Sequence, residues 1–139
     1  MMQALLDTDT LSEIMKSRDA RVARQAQNYL AAYGHFTFSI LTRYEILRGL
    51  KAKQAARQIA LFEQQCQKSD VLAFNDAIIQ RAADIYAELH RQGKLISDAD
   101  ILIAATALTH NLEMVTENTA HYNRIPGLTI KSWRDSEAL

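Results

Sequence analysis

The chain has 139 residues, 48% of them hydrophobic and 23% charged, and its 16 Lys+Arg balance 16 Asp+Glu. This composition suits one globular domain over residues 1–139 and excludes a disordered chain, a fibrous repeat or an overall polycation. A single cysteine, Cys66, rules out an intrachain disulfide, and no run approaches the ~20 apolar residues of a bilayer span, so the expectation is a cytoplasmic protein with no membrane contact.

In chain order, Gln3–Leu6 reads as a short apolar strand ended by Asp7. Thr10-x-x-Glu13 has the form of a capping box and predicts a helix start. Arg21–Ala32 continues with helical spacing until Gly34 stops it. His35–Ser39 alternates aromatic and β-branched residues as a strand does. A second capping box, Thr42-x-x-Glu45, predicts a helix to about Ala52, and Gln54–Gln67 a further one. Val71–Phe74 reads as a short strand, then Asn75 or Asp76 caps a helix ending near Gln92. Ser97-x-x-Asp100 is a third capping box, opening the almost wholly apolar helix Ile101–Leu108. Glu113–Thr116 is a strand ended by Glu117-Asn118, and Leu128–Trp133 reads as an edge strand. Strands alternating with helices predict an α/β sandwich around a mainly parallel sheet.

In open parallel sheets ligands bind beyond the carboxyl ends of the strands. Asp7, Glu117 and Asn118 follow strand ends directly. Glu45 lies just over a helical turn beyond the end of the second strand, and Asp98 and Asp100 start the apolar helix that feeds the strand at Glu113. Each acid alone has a capping or ion-pair reading. Together they form an acidic edge suited to a hard cation, which takes oxygen ligands and activates water against a phosphodiester. Arg43, Arg48, Lys51, Lys53 and Arg57 cluster around Glu45 and either steer phosphate or form a solvated helix face. His35, His90, His110 and His121 lack metal-ligand spacing and read as surface or packing residues, and Tyr29, Tyr33, Phe36 and Phe38 as core or dimer contacts.

Four blocks carry a resemblance: LLDTDTLSEIM, FTFSILTRYEILRGL, GKLISDADILIAATAL and LEMVTENTAHYNRIPGL. In this order they resemble the PIN domain, and more narrowly the VapC toxins of bacterial toxin–antitoxin modules. The resemblance implies a PIN-like three-layer α/β/α sandwich and an endoribonuclease that hydrolyses RNA by metal-activated water. It matches Asp7, Glu45 and Asp100 to the family's main acidic positions. Asp7 and Asp100 are expected to bind Mg²⁺, or Mn²⁺ in its place, with Glu45 a ligand directly or through water. Asn118 stands at a fourth position that is Asp in many members, a loss of one charge that Glu117 or Asp98 could compensate. Thr8 and Ser39 are hydroxyls that could hold carboxylates or waters. The resemblance also implies a cognate antitoxin lying in the active-site groove, a homodimer, and RNA of the tRNA or rRNA class. Two rivals stand beside this reading. Asp7-Thr8-Asp9 also resembles the acidic motif of haloacid dehalogenase-like phosphatases, and Asn118 would suit a non-catalytic PIN-fold module that binds nucleic acid or a partner.

Overall fold

The computed structural model describes residues 2–135. Three strands form one sheet: β1 (Ala4–Leu6), β4 (Glu113–Val115) and β5 (Ile130–Lys131), in the order β1-β4-β5. β2 (Thr37–Ser39) and β3 (Asp70–Leu72) pair with each other, and β2 lies beside β1. Every pairing found is parallel, with Leu5 opposite Met114, Phe38 opposite Val71 and Val115 opposite Lys131. Parallel pairs need crossover helices, which cover both faces.

The alternation of side chains along a strand shows the two cores directly. Leu5 and Met114 point to one face, into a core with Ile78, Ile85 and Leu89 of α5 (Asp76–Arg91) and Ile101, Ile103 and Ala104 of α6 (Asp98–Thr109). Leu6 and Val115 point to the other. There they meet Leu11 of α1 (Thr8–Lys16), Val22, Ala26 and Tyr29 of α2 (Ala20–Tyr33), and Phe62 of α4 (Ala56–Gln67). This is the expected three-layer sandwich. Among the described residues no helix is long and apolar enough to cross a membrane.

Four local details depart from expectation. β2 is buried throughout, Thr37 included, where alternation implies one wet face. Helices on both sides leave none. The helix after β1 begins at Thr8, capped by Asp7, rather than at Thr10. The helix after β2, α3 (Ile40–Ala52), is capped by Ser39 rather than Thr42. A four-residue helix, α7 (Thr119–Tyr122), follows Asn118 without a sequence signal strong enough to predict it.

Candidate active site

The three capping boxes have one outcome in common. A side-chain oxygen caps each helix, and none of the three boxed acids is seen to bond back to the residue three before it. Glu13 instead accepts from the backbone N–H groups of Arg18 and Asp19. Ser39 Oγ accepts from Thr42 N–H at 3.1 Å, so Glu45, in the second turn of α3, is left to face elsewhere. Ser97 Oγ accepts from Asp100 N–H at 3.2 Å and caps α6, with the Asp100 carboxylate turned to other partners. At the end of β1, Asp7 serves two purposes. Its Oδ1 accepts from Thr10 N–H at 2.8 Å as the α1 cap, and its Oδ2 accepts from the Thr116 hydroxyl.

Asp7, Glu45, Asp100 and Asn118 meet at one cavity of about 270 Å³, lined also by Thr8, Asp9, Arg48, Ile103 and Tyr122. Residues from four separated stretches of chain thus converge beyond the strand ends. Thr8 Oγ1 donates to Glu45 Oε1 at 2.5 Å and touches Thr42 Oγ1, tying α1 to α3. Thr116 Oγ1 accepts from Asn118 N–H at 2.9 Å while donating to Asp7, so one hydroxyl joins the exits of β1 and β4. The Tyr122 hydroxyl donates to Asp100 Oδ1 at 3.1 Å. Burial first, then the nearby carboxylate of Asp100, pushes that phenol far up from its ordinary range, so it stays a donor. His121 Nδ1 lies 2.8 Å from Asn118 Nδ2 and 3.4 Å from Asp100 Oδ2. A neutral ring accepting from the amide has no proton on that nitrogen for Asp100.

Other expected residues lie elsewhere. Asp98 is exposed in the first turn of α6 and does not line the cavity. Glu117 accepts from the Ser132 hydroxyl at 2.7 and 2.8 Å, directed to the β5 side. A one-residue step along the chain after β4 separates it from Asn118, and that step turns the side chain away. Ser39 is a helix cap and does not reach the cavity, whereas Thr8 does. Of the five expected basic residues, Arg48 lines the cavity, 4.0 Å from Glu45, while Arg43 pairs with Glu63. Tyr122 and Thr116 carried no role in the sequence, and His121 read as a surface or packing residue. Their signal was position alone, just before and after Asn118.

The donor set is carboxylate, amide and hydroxyl oxygen, the chemistry of a hard cation. Among the described residues no three Asp, Glu, His or Cys side chains stand close enough to enclose a metal ion. Asp7, Glu45 and Asp100 offer carboxylate oxygens to one cavity, the ligand type that a hard cation takes together with waters.

Asp7 carries a cost in the metal-free protein. It is 5% exposed, and burial raises its carboxyl above the ordinary range, only partly offset by the bonds from Thr116 and Thr10. A carboxyl with a raised folded-state pKa contributes stability below its unfolded value and loses it as pH rises through the folded value. Ionisation of Asp7 thus opposes folding. Asp7→Asn should raise the metal-free Tm at pH 7. The gap should close below about pH 4, where both side chains are neutral. Thermal melts in chelator across that range check both the sign and the window.

Comparison with known proteins gives a consistent set of relatives. The family model for the PIN domain matches residues 4–128. The tRNA(fMet)-specific endonuclease VapC of Shigella flexneri is 30% identical over 134 residues, covering 96% of this chain and 99% of that protein. Ribonuclease VapC1 of Methanocaldococcus jannaschii is 28% identical, covering 91% of this chain and 84% of its own. Among solved structures, a chain of the DNA-bound VapBC complex from Salmonella typhimurium superposes with a TM-score of 0.84 at 28% identity, covering 96% of this chain and 99% of that one. A chain of VapBC-1 from nontypeable Haemophilus influenzae gives 0.80 at 26% identity, covering 95% and 98%.

Proposed function

Because the chain belongs to the PIN-domain family, and within it to the VapC ribonucleases, we propose that it is a Mg²⁺-dependent endoribonuclease, the toxin of a toxin–antitoxin pair. The observation that carries this reading is the convergence of Asp7, Glu45, Asp100 and Asn118 on one cavity. Asp7 and Asp100 would hold the cation, with Mn²⁺ an alternative, and Glu45 would join them directly or through water. A bound divalent ion supplies Lewis acidity, activating water and neutralising charge on the phosphodiester under attack.

The chain's own residues do the rest. Tyr122 fixes the rotamer of Asp100, and Thr8 fixes that of Glu45, so neither carboxylate must be ordered when substrate arrives. Thr116 holds Asp7 and, through its bond to Asn118 N–H, sets the loop that presents the amide. Arg48 is the cation lining the cavity and would meet an approaching phosphate, since its pairing with Glu45 is loose at 4.0 Å.

The proposal extends to a cytoplasmic homodimer held inactive by a cognate antitoxin. Support for the antitoxin comes from solved relatives that are VapBC complexes. A basic antitoxin side chain would neutralise the acidic cavity and compete with the cation. The substrate class proposed is tRNA or rRNA, for which the name of the Shigella relative is the support. Purified protein should cleave total cellular RNA with Mg²⁺ or Mn²⁺, lose the activity in chelator, and leave a chromogenic phosphomonoester intact. Undiminished cleavage in chelator, or phosphomonoester hydrolysis without RNA cleavage, would defeat the proposal.

A further inference from the structure

Tyr44, next to Glu45 on α3, holds a position the core does not explain. It is 56% exposed, the most exposed large apolar side chain among the described residues. The other aromatic residues near the sheet, Tyr29, Phe36 and Phe38, are buried. Tyr44 and Arg48 are one helical turn apart on α3, and the Arg48 guanidinium sits over the ring, 5.2 Å from its centroid. The same guanidinium is 4.0 Å from Glu45 and lines the cavity. One side chain therefore links the open ring to the acidic pocket.

We propose that Tyr44 and Arg48 form a stacking platform for an unpaired nucleobase of RNA, next to the phosphodiester placed at the cavity. This rests on the ribonuclease reading above and adds to it a residue pair that positions the RNA strand. The chemistry is complementary on both sides. An exposed aromatic face takes any base that is free of a partner, and a guanidinium beside it takes the phosphate that follows. The cavity itself, lined by the carboxylates of Asp7, Asp9, Glu45 and Asp100, repels a polyanion, so the substrate needs an attachment just outside it. A duplex, whose bases are stacked on one another, offers the ring nothing.

The test uses a fluorescein-labelled single-stranded RNA dodecamer of mixed sequence, its duplex form, and the full chain carrying Asp100→Asn to prevent cutting. In that background Tyr44→Ala should weaken binding of the single strand about 10-fold, and Tyr44→Trp should restore it. The salt dependence should keep its slope in Tyr44→Ala and become shallower by about one in Arg48→Ala. Duplex binding should not respond to Tyr44→Ala. Cleavage of total RNA by Tyr44→Ala with native Asp100 is measured alongside. Native cleavage with unchanged single-strand affinity overturns the platform and leaves the ribonuclease reading standing. No RNA binding and no RNA cleavage by the native protein overturns both. Unchanged RNA affinity with loss of antitoxin binding assigns the ring to a protein partner and overturns the platform.

Discussion

Replacing Asp100 by asparagine should reduce RNA cleavage by about 10³-fold, ~4 kcal/mol of transition-state stabilisation, while the folded structure persists. Asparagine keeps the shape and an oxygen that accepts from the Tyr122 hydroxyl, so the local geometry survives. What is removed is the negative charge that would hold a cation. Asp7→Asn should cost cleavage a similar amount, and yet melt later without metal, because burial raises the Asp7 carboxyl. That opposition separates a functional carboxylate from a structural one. A carboxylate kept only as a helix cap would lose stability on replacement and have no effect on cleavage. Cleavage within tenfold of native in both variants would contradict the assignment.

The largest expected effect on stability lies at Phe38. Its side chain is fully buried in the core under α2 and α4, with its ring stacked on Phe62 at 6.4 Å between centroids. Phe38→Ala should cost about 3–5 kcal/mol, the transfer of the ring plus the cavity it leaves. Against a typical total of ~5–15 kcal/mol this is a large share, and Tm should fall by about 10–15 °C. The consequence reaches the site as well. Ser39, the next residue, caps the helix that carries Glu45 and Arg48, so a loosened β2 loosens both. Urea unfolding with a shifted midpoint and an unchanged slope would confirm the size of the effect. A loss below about 1 kcal/mol would mean that the core tolerates a void there.

The sandwich was legible because its elements carry strong local signals. Gly34 and Gly93 end helices at positive φ, and Asn75 and Ser97 cap them by side-chain bonds. The apolar character of α6 also held, since residues all around that helix are buried between the sheet and α5. Capping boxes were less informative than they looked. The Ser-or-Thr with acid three residues on is present each time, but each acid bonds to partners other than the first residue of its box. Spacing alone does not tell a closed box from a released carboxylate, because that depends on what stands across the cleft. For Glu45 it is Thr8, and for Asp100 it is Tyr122, each from a distant part of the chain.

The same reason explains what was missed at the fourth corner. Asn118 lines the cavity as expected, but its neighbours divide. Glu117 turns toward Ser132, while His121 and Tyr122, one turn of α7 later, turn toward Asp100. Histidine without metal-ligand spacing reads as a surface or packing residue, and Tyr122 carried no assignment. Only the short helix after Asn118 brings Tyr122 to the cavity and His121 to Asn118 and Asp100, and four residues are too few for a periodic signal.

The most direct test of a metal-dependent RNA hydrolase centred on Asp7 and Asp100 is made in cells. Native protein and Asp100→Asn are expressed to equal levels without antitoxin, and cellular RNA ends are mapped. Native protein should arrest growth and create new RNA ends at discrete positions, and Asp100→Asn should do neither. Equal arrest with the same new ends from both proteins would contradict the account.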